Sequence, residues 1–167
     1  MDHPQSDIQS RLAVLIRPLA EAELPAAAGL AAEVWSAGDG RCYLEENLRY
    51  IREPEAHGCV YGAFSGQDRL IGAGTIKLVH FSYDVWGIAW LAVHPGCRRR
   101  GVASRLISAL GEHALKHAGA HCMLQVAAGD PRVYEKNGFA VVHTSTVPAA
   151  GGVQVKYILL RDLRRNP

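Results

Sequence analysis

Apolar positions along this chain alternate between short continuous runs and helical stripes. Leu12 to Ile16 is an apolar run that stops short of Pro18 and predicts a strand. Glu21 to Trp35 carries Leu24, Ala27, Ala28, Ala31 and Val34 at helical spacing and predicts a helix. Gly38-Asp39-Gly40 reads as a break, and Tyr43 to Ile51 as a second, shorter helix that ends before Pro54. His57 to Phe64 and Arg69 to Leu78 are rich in β-formers and flank Ser65-Gly66-Gln67-Asp68, the pattern of a hairpin. Val85 to Val93 is apolar at every position, as expected of a strand covered on both faces.

The clearest helix follows. From Val102 to His117 the residues Val102, Ala103, Leu106, Ile107, Leu110 and Ala114 make one stripe, with Arg105, Ser108, Glu112 and Lys116 away from it. Gly119 ends that helix, and His121 to Val126 reads as a strand. Asp130 offers an N-cap with Pro131 at the first helical position, and Gly138 closes this short helix. Phe139 to His143 and Val153 to Leu160 are the last strands, and Arg161 to Pro167 is a polar tail. The order β-α-α-β-β-β-α-β-α-β-β predicts an α/β fold, a mixed sheet with helices on its faces.

Composition narrows the class. The chain has 167 residues, 49% of them hydrophobic and 20% charged, which is too apolar for disorder and fits one domain, 1–167, with short tails. The longest apolar run, Val85 to Val93, is half of what a membrane helix needs, and the N-terminus has no signal-peptide pattern, so a cytoplasmic protein without membrane partners is expected. Cys42, Cys59, Cys97 and Cys122 are far apart and form no C-x-x-C, which suggests reduced thiols. The net charge of +2 hides a division: there are seven basic and twelve acidic residues through Val93, and eleven basic and four acidic from His94 onward.

The basic half contains a turn of special character. Arg98-Arg99-Arg100-Gly101-Val102-Ala103 joins the buried strand to the strongest helix. A helix N-terminus presents unpaired N–H groups and partial positive charge, so a tight turn feeding it can wrap a phosphate where small residues admit the ligand. Gly101 and Ala103 supply the small residues, and the arginines supply charge-assisted donors. Gly96 to Gly101 has the glycine spacing of a P-loop, but Val102-Ala103 replace its Lys-Ser/Thr, which argues against an NTPase. Gly72-x-Gly74 lacks the third glycine of a dinucleotide fingerprint and reads as packing or a bulge. His113 and His117 lack the Glu of H-E-x-x-H, so no metal is expected, and no G-x-S-x-G elbow is present.

Three segments together carry a resemblance: Leu91-Ala92-Val93-His94-Pro95, Arg98-x-x-Gly101-x-Ala103, and Tyr134-Glu135-Lys136-Asn137-Gly138-Phe139. The first two resemble the acyl-CoA signature of the GNAT superfamily of acetyl-CoA-dependent N-acetyltransferases, Q/R-x-x-G-x-G/A after a strand ending in Val-x-Pro. The third resembles its Tyr-x-x-x-Gly-Phe element. The resemblance extends over residues 12 to 160 and implies a mostly antiparallel central sheet with one splayed parallel pair, here Val85 to Val93 and His121 to Val126.

That resemblance also implies chemistry. Acetyl-CoA would be the co-substrate, its pyrophosphate on the backbone of Arg98, Arg99, Arg100, Gly101, Val102 and Ala103, its pantetheine and acetyl carbonyl along Leu91, Ala92 and Val93. Tyr134 would protonate the departing thiolate as general acid. The family's frequent carboxylate on the buried strand is missing from Gly87 to Leu91, leaving Asp84, Glu45, Glu46 or a water chain as base, and Ala128 stands near the place of a frequent Asn. Selectivity for the acceptor would come from the first two helices and the loop between the middle strands, Trp35 to Leu48 and Val79 to Asp84, which carry Trp35, Asp39, Tyr43, Glu45, Glu46, His80, Phe81 and Tyr83. The expected acceptor is a primary amine of a small molecule or peptide; the alternative is a non-catalytic acyl-CoA-binding module. Nucleic-acid binding has only the charge of the C-terminal half behind it, and a homodimer is compatible with the sequence.

Overall fold

In a computed structural model, residues 13–53, 57–79, 84–118, 120–128, 130–149 and 152–164 are described. The elements in chain order are β1 (Leu15–Pro18), α1 (Leu24–Val34), α2 (Ala37–Arg52), β2 (Gly58–Phe64), β3 (Leu70–Leu78), β4 (Val85–Val93), α3 (Val102–Ala118), β5 (Cys122–Ala128), α4 (Arg132–Glu135), β6 (Ala140–Ala149) and β7 (Gly152–Asp162). The strands form one seven-stranded sheet in the order β1-β2-β3-β4-β5-β7-β6. Every neighbouring pair is antiparallel except β4 and β5. The expected mixed sheet, mostly antiparallel with one parallel pair, is the observed architecture.

Its two faces are covered by different helices. On one, Leu24, Ala27, Leu30 and Ala31 of α1 and Tyr43 of α2 pack against Val60, Phe64, Ala73 and Ala92. On the other, Ile107, Leu110 and Ala114 of α3 pack against Ile76, Trp86, Ile88 and Met123. Each fully buried Leu or Ile in these layers contributes roughly 2 kcal/mol. Gly72 and Gly74 bring α3 close to β3: a Cβ at Gly72 would lie 3.1 Å from Leu106 Cδ1 and from Val102 Cγ1, and one at Gly74 would lie 3.1 Å from Leu110 Cδ1. The pairing of β3 with β4 also shifts register between Ala73 and Thr75, so the Gly-x-Gly segment serves both packing and a bulge.

Three sequence expectations are corrected. Gly38-Asp39-Gly40 does not interrupt the helices; α2 already starts at Ala37. The break falls at Trp35-Ser36, where Ser36 Oγ accepts the Asp39 N–H at 3.2 Å and caps the new helix. Gly40 belongs to the α1–α2 contact, since a Cβ there would meet Ala28 O and Ala32 Cβ at 2.8 Å. β6 runs to Ala149 rather than stopping at His143; as the edge strand it is largely exposed, so polar Thr144, Ser145 and Thr146 and even Pro148 are tolerated in it. The polar tail begins later than Arg161, because β7 continues to Asp162 and Leu163 is buried, its N–H donating to His121 O at 2.9 Å.

Gly40→Ala is expected to destabilise the fold by roughly 1–2 kcal/mol, measured by denaturant unfolding, because overpacking outweighs the helix-propensity gain of about 1 kcal/mol. A raised midpoint would mean that α1 and α2 can part without cost.

Candidate active site

The site begins where β4 leaves β5. The two strands pair only through Val85↔Cys122, Trp86↔Met123 and Gly87↔Leu124. Past those residues β5 continues along β7 as far as Ala128↔Lys156, while β4 follows β3. Among the described residues, the facing edges of β4 from Ile88 and of β5 from Gln125 are therefore unpaired with each other.

A bulge accompanies the divergence. Ala73 pairs with Ala92 and Thr75 with Ala89, so Trp90 and Leu91 together oppose Gly74. Trp90 adopts φ +54, a left-handed conformation uncommon for a bulky side chain. The bulge resets the alternation of the strand: Trp86 and Ile88 face α3, Trp90 joins the α1–α2 side, and Leu91 returns to the α3 side.

The turn after β4 has the form of an anion cradle. Arg99 and Gly101 are left-handed, with φ +63 and +80, and a Cβ on Gly101 would meet nothing within 4 Å. The first backbone amide past this turn to reach a backbone carbonyl is that of Arg105, which donates to Gly101 O at 3.1 Å. The amides of Arg99 through Ser104 meet no backbone carbonyl among the described residues. Arg98, Arg99 and Arg100 are exposed, and among the described residues none has a carboxylate at ion-pair distance. Arg98 Nε instead donates to Val93 O at 3.3 Å, tying the turn back to β4. Concentrated positive charge over unpaired amides suits a phosphate or pyrophosphate.

Tyr134 lies on the single turn of α4, 8% exposed, with its ring edge-on to Phe139 at 5.7 Å. Burial pushes its phenol up to about 12, so it stays protonated throughout the neutral range. The cap of α4 falls one residue later than expected, on Pro131 rather than Asp130; Asp130 still accepts the Arg132 N–H at 3.0 Å, and Gly138 follows the turn at φ +83. Asn137 had no role assigned from sequence. Its Nδ2 donates to Ser104 Oγ at 3.0 Å and to Val133 O at 2.6 Å, fastening the tyrosine-bearing turn to the first turn of α3.

The acidic side looks different from its sequence. Glu21 pairs with Arg52, Glu23 with Arg17, Glu53 with Arg49 and Glu46 with Lys77, so much of that charge is neutralised internally. Asp39 engages Ser36 in the N-cap of α2, and Tyr43 is fully buried in the core. Glu45 is exposed, and His80, Phe81 and Tyr83 lie outside the described residues. Trp35 is 42% exposed and meets the Trp90 ring edge-on at 5.6 Å, which makes an aromatic wall beside the bulge.

His113 and His117 stack at 4.8 Å, and His113 Nδ1 lies 3.3 Å from the Tyr61 hydroxyl. Among the described residues no group of three His, Cys, Asp or Glu is placed to hold a metal ion, and no helix is long and apolar enough to cross a membrane.

Comparison with known proteins agrees with this geometry. The sequence model of the Acetyltransferase (GNAT) family matches residues 24–139. This chain belongs to the GNAT acetyltransferase family, whose members take their acetyl group from acetyl-CoA. Among solved structures, a GNAT-family protein from Desulfovibrio desulfuricans is similar at a TM-score of 0.76, with 16% identity over 90% of this chain and 99% of that one. A spermidine N-acetyltransferase from Vibrio cholerae, described in complex with CoA and spermine, is similar at a TM-score of 0.72, with 16% identity over 90% and 96% of the respective chains. No curated protein matches the sequence.

Proposed function

We propose that the chain forms a single acetyltransferase domain that moves acetyl from acetyl-CoA directly to a primary amine of a small molecule or peptide. The observation that carries this reading is the unpaired stretch between β4 and β5, which opens beside a turn with unpaired amides and uncompensated arginines. In this reading Arg98 to Ala103 hold the pyrophosphate, and Leu91, Ala92 and Val93 line the pantetheine and acetyl group. A backbone N–H at that strand end stabilises the negative charge that develops on the carbonyl oxygen.

The acceptor must lose a proton to attack. With a pKa of ~10.4, only about one amine in a few thousand is neutral at pH 7. As the new C–N bond forms and the C–S bond breaks, the ammonium formed on the acceptor loses a proton and the thiolate gains one. Tyr134 donates to the thiolate. From a phenol near 12 to an ordinary thiolate of pKa ~8.5, complete transfer alone is uphill by about 5 kcal/mol, so Tyr134 acts by sharing its proton while the acceptor supplies the net one.

The similarity to a protein described with bound spermine supports an amine acceptor. The internal pairing of Glu21, Glu23, Glu46 and Glu53, together with the Trp35–Trp90 wall, favours an amine with an apolar body over a polycation. Thiol release across a panel of amines, with mass spectrometry of the products, tests both statements. Turnover on aromatic or branched primary amines, exceeding that on spermidine, is expected. Tight acetyl-CoA binding with no turnover on any amine would instead establish a non-catalytic acyl-CoA-binding module.

A further inference from the structure

Among the described residues, Glu46 is the carboxylate that joins α2 to both β3 and β4. Its Oε1 accepts from Lys77 Nζ of β3 and from the Tyr50 hydroxyl at 3.0 Å, and its Oε2 accepts from the Trp90 indole N–H of β4. The group is partly buried, with its side chain 27% exposed. Burial alone would raise its pKa, but the donors, Lys77 foremost, outweigh that and hold it below the usual range. A carboxylate whose oxygens already serve an ammonium, a phenol and an indole is poorly suited to abstract a proton from an acceptor.

Trp90, by contrast, needs holding. A left-handed backbone at a bulky residue costs about 1–3 kcal/mol and persists only where its surroundings over-determine it. The ring is edge-on to Trp35 at 5.6 Å and to Tyr43 at 5.9 Å. These contacts are with ring faces and edges and are weakly directional, whereas the hydrogen bond to Glu46 Oε2 fixes the direction in which the indole N–H points. Leu91, the next residue, begins the stretch assigned above to the acetyl and pantetheine groups.

We propose that Glu46 is a positioning residue, which fixes Trp90 in the β4 bulge and thereby sets where the backbone of Leu91 to Val93 faces the gap beside β5. This rests on the acetyltransferase reading of that gap. Glu46→Gln keeps an oxygen for the indole, while Lys77, 35% exposed, turns to water. Glu46→Leu removes the acceptor, and Trp90→Phe removes the donor.

The expected result is a kcat lowered at least 10-fold in Glu46→Leu and in Trp90→Phe, and less than 3-fold in Glu46→Gln. The double variant Glu46→Leu/Trp90→Phe falls within 2-fold of the worse single variant, as members of one unit behave. The acid limb of the kcat/KM profile stays in place in Glu46→Gln. In solution NMR the Trp90 indole N–H resonance moves further in Glu46→Leu, which leaves it no acceptor, than in Glu46→Gln, which offers a neutral one, a readout that needs no turnover. Glu46→Gln as inactive as Glu46→Leu, with the acid limb lost, would make Glu46 the general base and overturn the proposal. So would an unmoved indole resonance in Glu46→Leu, or wild-type kcat and coenzyme affinity in that variant. A wild-type protein that binds no coenzyme A would instead overturn the acetyltransferase reading itself, while the indole resonance still reports whether Glu46 holds Trp90.

Discussion

Gly101→Glu is expected to abolish coenzyme A binding if the turn is the proposed pyrophosphate site, with affinity measured by calorimetry falling at least 100-fold. Two effects act together. The residue stands at φ +80, where a side chain adds about 1 kcal/mol of backbone strain, and the carboxylate enters the open space through which the turn's amides are reached. Of the two, charge decides the outcome. Strain of that size alone lowers an equilibrium by less than tenfold, and Gly101→Ala, which carries the strain without the charge, should keep coenzyme affinity within about tenfold of wild type. Because a Cβ at Gly101 meets no neighbour, the substituted protein should keep its secondary structure, which circular dichroism confirms or denies. Retained affinity in Gly101→Glu would remove the turn from the coenzyme site.

Tyr134→Phe is expected to lower kcat about 100-fold and to leave coenzyme affinity within twofold. The ring keeps its packing against Phe139 and only the hydroxyl is lost, so in the proposed mechanism the loss measures the proton shared with the leaving thiolate. The sign of the pH dependence follows from its raised phenol. Tyr134 is protonated at and below neutrality and loses its proton only near pH 12, so it contributes no alkaline limb to activity in the neutral range. Unchanged turnover would exclude Tyr134 from the chemistry.

The parallel pair was implied only by the resemblance that the three motifs carry, whereas the order of elements was readable because period and turn chemistry agree along most of the chain. The α3 stripe and Val85 to Val93 illustrate this, their boundaries predicted to within a residue. The bulge was not readable for a physical reason: a strand apolar at every position shows no alternation, so a reset of its faces at Trp90 leaves no trace in the pattern. Gly38 and Gly40 misled for the opposite reason. Glycine signals a break when judged locally, but here Gly40 answers to Ala28 and Ala32 across the helix contact. Likewise Glu46 was legible as an acidic residue on the second helix and a candidate base, but not as the partner of Lys77 and Trp90, which lie 31 and 44 positions away with no local rule to join them. The motif around Tyr134 was plain, yet the anchoring of Asn137 on Ser104 emerges only from the fold.

The short seam between β4 and β5 has a mechanical consequence. Three residue pairs join the β1–β4 plate to the β5–β7 plate, whereas β2 and β3 share seven. The two halves are therefore joined less by backbone ladder than by α3, whose Ile107, Leu110 and Ala114 pack with Trp86 and Ile88 of one half and with Met123 and Leu159 of the other. In the proposed reading, a coenzyme seated in the gap would bridge the two halves where the ladder does not, so that binding it should raise the protein's unfolding temperature.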